Sequence, residues 1–346
     1  MKMKKIRASL VILAVLAFFV SCPCSAAEQP EEPSSPLPVK VLLLPKFEVG
    51  ELCGDDPGEA QYYFEHYLAG GEAYDVPNSS CTLYYKDGVA LCLLGMGKVS
   101  AALNTAAVLS DSRFDFSQAY IISTGCCGSA YGSTVMGDVF IISTVVDYDL
   151  GHHMDAREIE DPDGTTWFHD VNYDSYAVVR LDPELTDRVY ALVKETPLRT
   201  TEVTRAYMLA VFNGEDWAGR DPQVLRGTSV TADNYWKGIY GHENALLMAE
   251  TYQCTDPYTA TEMEDVAVAR AVRQMGLLDR LIIIRDSVNM DVYVPGVTPE
   301  SFWSGGEPHT LRGDDNVESA DIFFTAMKNN FDIGRIITDR ILEGRF

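Results

Sequence analysis

Apolar positions along this chain follow two periods, and the alternation between them predicts the fold class. VKVLLL (residues 39–44) is a short run rich in β-branched residues, stopped by Pro45, and reads as a buried strand. TLYYKDGVALCLLG (82–95) reads as a hairpin with Lys86-Asp87-Gly88 at its turn. KVSAALNTAAVLSD (98–111) then switches to helical spacing. AYIIST (119–124) and DVFIIST (138–144) read as buried strands joined by a loop of small residues, TGCCGSAYGSTVMGD (124–138). PELTDRVYALVKET (183–196) is an amphipathic helix opened by Pro183, and MEDVAVARAVRQMG (263–276) is another, ended by Gly276. RLIIIRDSV (280–288) reads as a strand, and residues 319–344 are helical material. Strands alternating with helices predict an α/β protein built on a central mixed, mostly parallel sheet. Ligands on such sheets sit at the carboxyl ends of strands. That rule singles out Gly95-Met96-Gly97, the 124–138 stretch and Arg285–Asp291.

The first 27 residues are patterned differently. Lys2, Lys4, Lys5 and Arg7 precede an apolar run, Leu10–Val20, and small residues follow at Ser25, Ala26 and Ala27. This order is that of an export leader. The apolar run is shorter than the roughly 20 residues a membrane span needs. Two processing routes stay open: ordinary cleavage near Ala27, or lipidation of Cys22 in the Phe19-Val20-Ser21-Cys22 box. Both place the mature chain outside the cytoplasm, periplasmic or lipid-anchored. EQPEEPSSPLP (28–38) reads as an extended, solvated spacer. Residues 39–346 read as one domain, without a linker-like break or a second span.

The net charge of −24 argues against nucleic acid or an anionic membrane surface as partner, because both require cationic patches. Eight cysteines are present. Export permits disulfides, and Cys53 with Cys81 is one conceivable pair, with free buried thiols equally consistent. His152-His153-x-Asp155 invites a metal reading, but adjacent histidines on a strand point to opposite faces. No metal or cofactor is expected.

Five stretches in order carry a resemblance: GMGKVSAALNTA (95–106), the 124–138 stretch, VTADNYWKG (230–238), TEMEDVAVARAV (261–272) and IIIRDSVNMD (282–291). Together they resemble nucleoside phosphorylases and nucleosidases. The closer resemblance is to the purine nucleoside permease family, through DFSQAYIISTGCCGSAYGSTVMGDVFI (115–141) and VVDYDLGHHMDAREI (145–159). The resemblance implies a three-layer α/β/α phosphorylase-like fold and a purine nucleoside as ligand. It implies cleavage of the N-glycosidic bond or, as the alternative, nucleoside binding in uptake without catalysis. A homo-oligomer is expected by resemblance only.

Residue by residue, the resemblance implies that Glu264 holds ribose hydroxyls, with Met263 against the sugar face. A carboxylate accepts well from both hydroxyls. Tyr235 matches the aromatic that stacks on the base, and Trp236 lies beside it. Asn289 stands where related nucleosidases keep an acid for the base; an amide hydrogen-bonds the base but delivers no proton. Glu48, and after it Glu51, follow the first strand where a water-activating glutamate is expected, and Glu48 is the choice for general base. Gly95, Gly125, Cys126, Cys127 and Gly128 are expected to line the site as small residues, the cysteines as lining rather than nucleophiles. Phosphate stays open as a co-substrate, but Ser123 fills the slot expected for a phosphate-gripping arginine. Lys46 lies in an otherwise acidic loop, so water is favoured.

Overall fold

Neighbouring residues in the central strands bury on opposite faces. Val41, Leu43, Ile122, Val139, Ile141, Ile282 and Ile284 join one core, while Leu42, Leu44, Ile121, Phe140, Ile142 and Ile283 join another. Two-sided burial explains why these runs are continuously apolar rather than alternating with polar residues. Each such side chain contributes about 1.5–3 kcal/mol of hydrophobic stabilisation. The structure is a computed structural model. It describes residues 33–154, 158, 167–168, 173–212, 216–293, 296 and 317–346. The leader, the start of the spacer, Asp155 and Arg157 lie outside the described residues.

The strands, in chain order, are β1 (Leu37–Pro38), β2 (Val41–Leu44), β3 (Glu72–Asp75), β4 (Thr82–Lys86), β5 (Val89–Cys92), β6 (Phe114–Asp115), β7 (Tyr120–Ser129), β8 (Val139–Asp147), β9 (His152–His153), β10 (Trp167–Phe168), β11 (Val178–Arg180), β12 (Val224–Thr231), β13 (Tyr258–Glu262) and β14 (Leu281–Met290). The helices are α1 (Gln61–Tyr63), α2 (Lys98–Leu109), α3 (Asp174–Ala177), α4 (Pro183–Val193), α5 (Glu202–Val211), α6 (Ile239–Thr251), α7 (Asp265–Gln274) and a long C-terminal helix (Val317–Leu342). No helix among the described residues is long and apolar enough to cross a membrane.

The chain is mixed α/β, as the periodicity predicts. Helices α2 and α7 pack into the core of Leu42, Leu44 and Ile121, and α1, α4 and the C-terminal helix into the core of Val41, Leu43 and Ile122. The predicted hairpin is β4–β5, paired antiparallel, with Asp87 and Gly88 both at positive φ, the primed turn that strand twist favours. The main sheet is ten-stranded and mixed. Five of its strands close on themselves: β7 pairs β14, β14 pairs β8, β8 pairs β12, β12 pairs β13, and β13 returns to β7. From β7 the sheet continues outward through β2, β5, β4 and β3.

The small-residue stretch departs from expectation. β7 runs on to Ser129, so Gly125, Cys126, Cys127 and Gly128 are strand residues rather than a loop. Pairing is the cause: β14 runs parallel to it from Leu281 opposite Ile121 to Met290 opposite Ser129, and β13 takes its end through Ala260 and Thr261. Partner strands on both sides satisfy backbone groups that a glycine-rich segment would otherwise leave to water. The β7–β14 register breaks once. Ser287 faces Cys127 and Asn289 faces Gly128, leaving Val288 as an extra residue. A bulge of this kind re-aims side chains.

The Cys53–Cys81 pairing is not formed. Cys81 is a free, buried thiol 3.0 Å from the Ser79 hydroxyl.

Candidate functional site

The bulge lies at the edge of a cavity of about 640 Å³, counting the solvent space at its mouth. Strand ends and the loops that leave them supply its walls.

One wall is a buried charge cluster. Arg285, the largest fully buried side chain, ends the apolar half of β14. It donates through Nε and Nη2 to the two Asp265 oxygens at 2.8 Å each, and through Nη2 to Glu262 at 3.0 Å and Glu264 at 3.3 Å. Glu262, at the end of β13, accepts the amide N–H groups of Glu264 (2.7 Å) and Asp265 (2.6 Å). It thereby satisfies backbone donors that the start of α7 leaves open. It also accepts from the Ser229 and Thr231 hydroxyls. Burial pushes the Glu262 carboxyl up, and the Asp265 charge adds to this. Burial also works to raise Asp265, yet the Arg285 and Lys46 charges and hydrogen bonds from Arg285 and Ser123 hold it below the usual range.

Lys46 follows β2 and is buried. Its Nζ donates to Ser123 Oγ at 2.7 Å and to the Thr124 carbonyl at 2.9 Å, and lies 3.7 Å from Asp265. Burial pulls its pKa down. Both cations on this wall are therefore committed to protein acceptors.

Glu264 is different. Its Oε1 accepts the Gly97 N–H at 3.0 Å, and its Oε2 faces Arg285. A carboxylate has about four acceptor sites, so capacity remains for ligand hydroxyls. Gly97 reaches it from a turn with φ +84°, a conformation glycine adopts at no steric cost. Met263 lines the same wall.

Glu48 is not in the cavity. Its carboxylate accepts the backbone N–H groups of Val49, Gly58, Ala60 (2.9 Å) and Gln61 (2.7 Å), tying down the loop that leads into α1. The cavity carboxylate from this segment is Glu59, which is buried. Its Oε2 accepts the Lys46 N–H at 2.7 Å and its Oε1 the Cys126 N–H at 2.9 Å, again leaving acceptor capacity. Burial pushes the Glu59 carboxyl up, against the opposing charges of Lys46 and Arg285. A Cβ on Gly125 would lie 2.5 Å from Glu59 Oε1, so this glycine makes room for the carboxylate. Glu51 is exposed and also outside the cavity.

Cys126, Cys127 and Gly128 line the cavity, while Gly95 shapes the neighbouring turn and Met96 lines it instead. Burial pushes both thiols well up, so they are neutral lining groups rather than thiolate nucleophiles.

The facing wall is aromatic. Tyr235 and Trp236 follow β12 and both line the cavity. Trp236 stacks on Tyr148, with centroids 5.0 Å apart and planes 10° from parallel. Tyr235 remains 56% exposed, and its hydroxyl lies 3.4 Å from Asn289 Nδ2. Asn289 and Val288 reach the cavity from the bulge, and Asn289 Nδ2 also donates to the Met290 carbonyl at 3.2 Å. Asp291 is buried behind them, where it accepts from the Tyr131 N–H (3.1 Å) and the Tyr258 hydroxyl (2.8 Å) and contacts His242 Nδ1 (2.8 Å).

Met263, Glu264, Tyr235, Trp236 and Asn289, chosen from scattered sequence positions, thus meet around one space. Sequence reading missed Glu59 and Glu262, and gave Arg285 and Lys46 no part in this network. An arginine ending the run IIIR was the available signal, since such a strand buries its cation only against carboxylates.

The family model described as purine nucleoside permease matches residues 38–345. A probable purine nucleoside permease of Schizosaccharomyces pombe is 24% identical over 220 residues, 57% of this chain and 63% of that protein. A 5′-methylthioadenosine/S-adenosylhomocysteine nucleosidase of Mycobacterium bovis is 31% identical over 148 residues, 42% of this chain and 51% of that protein. The chain thus spans less than two thirds of the curated relatives it matches. Among solved structures, the corresponding nucleosidase of Neisseria meningitidis, in complex with methylthio-immucillin-A, superposes with a TM-score of 0.51 at 17% identity, covering 86% of this chain and 98% of that one. The Streptococcus pneumoniae enzyme in complex with 8-aminoadenine also gives 0.51, at 14% identity, covering 87% and 99%. At such identities these structures support the fold alone, but the family match runs over nearly the whole of the expected domain. The chain belongs to the purine nucleoside permease family.

Proposed function

We propose that this protein binds a purine nucleoside and cleaves its N-glycosidic bond, with water favoured over phosphate as nucleophile. In this reading residues 39–346 act as one domain with a three-layer α/β/α phosphorylase-like arrangement. The observation that carries the reading is the pairing of two buried carboxylates with spare acceptor capacity, Glu264 and Glu59, in one cavity with an available aromatic face.

Glu264 accepts from the 2′ and 3′ hydroxyls, and Met263 packs on the sugar. Tyr235 stacks on the base, with Trp236 behind it. Asn289 hydrogen-bonds the base edge. Glu59 takes the place first given to Glu48: it orients a water and removes its proton as the water oxygen bonds to the anomeric carbon. The electron pair of the breaking bond leaves with the base. Phosphate needs a free cationic grip. Arg285 and Lys46 are both bound to protein acceptors, and Arg205 pairs with Asp221 at 2.7 Å, which supports water.

The family's description and the amide at position 289 favour a second reading, a nucleoside-binding component of uptake without turnover. In either reading the leader sends the protein out of the cytoplasm. Exposed Met96, which lines the cavity, and exposed Val99 and Leu103 on the following helix α2 support a homo-oligomer. Incubation with inosine or adenosine, with and without phosphate, tests the proposal. Free base and free ribose formed without phosphate are expected. Phosphate-dependent sugar phosphate means a phosphorylase, and micromolar binding without turnover means the second reading.

A further inference from the structure

The two walls of the cavity differ in how they could meet developing charge. The carboxylate wall holds Arg285 and Lys46, but both are tied to its own acids. The aromatic wall is where a leaving base would gather negative charge, and its polar group there, Asn289, has no proton to give. A cation lies just behind it. Lys237 follows Trp236 in the loop after β12, and Gly238, at φ +124°, turns the chain so that its N–H donates to the Asp291 carbonyl at 2.8 Å. The Lys237 Nζ donates to the Met290 carbonyl at 2.9 Å. Asn289 Nδ2 donates to that same oxygen at 3.2 Å. The ammonium and the cavity-lining amide therefore share one acceptor.

We propose that Lys237 is a positioning residue that fixes the Asn289 amide and supplies the positive field stabilising charge that leaves into the base. This rests on the glycosidic-cleavage reading above. The carbon–nitrogen bond breaks with its electron pair moving into the heterocycle, water adds to the anomeric carbon and loses its proton to Glu59, and the departed base takes a proton from solvent. Lys237 keeps its own proton throughout. A fixed cation close to developing charge in a partly dry site is a strong form of transition-state stabilisation.

The surroundings of Lys237 are consistent with a charge that works near neutrality. Burial pushes its pKa down to about 8, with the Asp291 carboxylate opposing. Asp291 in turn is engaged by His242 and Tyr258 from α6 and β13, and the Tyr235 phenol stands on the cavity side. The cation is present below about pH 8 and lost above it.

The test compares the wild-type chain with Lys237→Met and Lys237→Arg on inosine and on 4-nitrophenyl β-D-riboside, whose leaving group needs no stabilisation. Lys237→Met should lower kcat on inosine on the order of 100-fold with KM little changed, the low end of the range for losing one preorganised donor. The same variant should keep its rate on the aryl riboside, and Lys237→Arg should recover most of the inosine rate. Wild-type kcat on inosine should fall above about pH 8, a limb absent in Lys237→Met and moved upward in Lys237→Arg. Equal losses on both substrates, or an unchanged inosine rate, would overturn the proposal while leaving the glycosidase reading standing. A wild-type chain inert toward both substrates would overturn that reading, and this one with it.

Discussion

The two walls of the cavity are built on opposite physical terms. On the carboxylate wall, Glu262, Glu264, Asp265, Arg285 and Lys46 are all buried, and each is held by named partners at 2.6–3.7 Å. On the aromatic wall, Tyr235 is more than half exposed, and Asn289 is held by two bonds of 3.2 and 3.4 Å. The first wall is fixed before any ligand arrives. Taking so many charges out of water is costly unless the network is complete, so its geometry is all or none. The second is held loosely enough to adjust to a ligand. A sugar has a fixed pattern of hydroxyls, while bases vary at their edges but share a flat face. A rigid wall and a tolerant wall would suit the two halves of the nucleoside proposed as ligand.

The comparison is open to attack from both sides. The largest effect should come from Glu59→Gln, which keeps the shape of the carboxylate wall and removes its base. Hydrolysis should drop about 10²- to 10⁴-fold with folding retained, in a turnover assay alongside circular dichroism. Since burial raises the Glu59 carboxyl above its ordinary 4.5, wild-type activity should fall on the acid side from a pH higher than that value, and the variant should lose this limb. Arg285→Met should cost about 3–5 kcal/mol in chemical denaturation, because it leaves Glu262, Glu264 and Asp265 buried together without their cation. A loss under 1 kcal/mol would mean that the wall is wetter and softer than described.

On the tolerant side, Tyr235→Ala should weaken purine binding by about 1–3 kcal/mol by calorimetry, the range for base–aromatic stacking, and leave stability unchanged. A large stability loss there would erase the contrast between the walls. The smallest effect belongs to Glu48→Gln. It should cost roughly 1 kcal/mol of stability through weakened bonds to the Ala60 and Gln61 amides and spare the cavity chemistry. A collapse of turnover in that variant with full stability would restore Glu48 over Glu59.

The site residues that were legible in the sequence came through the family resemblance, and most of them also stand next to a local signal. Met263 and Glu264 stand at the start of a clear amphipathic helix and Asn289 just past the run IIIRDSV, whereas Tyr235 follows the half-polar strand VLRGTSVT and was indicated by the resemblance alone. Glu59 has no such signal. It lies in the stretch between β2 and α1, where Glu48, Glu51, Asp55 and Asp56 also occur, and the buried acid is selected by where the loop folds back. The glycine–cysteine stretch misleads for the same reason. Its residues are typical of a loop, and the pairing partners that make it strand come from residues 258–262 and 281–290.

By itself the sequence determined the two-faced strands, the β4–β5 turn, the helix that opens after Glu264 and the family, because apolar period and turn chemistry act between near neighbours. Only the tertiary structure decided the closure of five strands, the bulge at Val288, the choice of Glu59 over Glu48 and the sharing of the Met290 carbonyl by Lys237 and Asn289. Those depend on contacts between residues far apart in the chain, where burial of a charge or a backbone group is settled by which partner arrives to satisfy it.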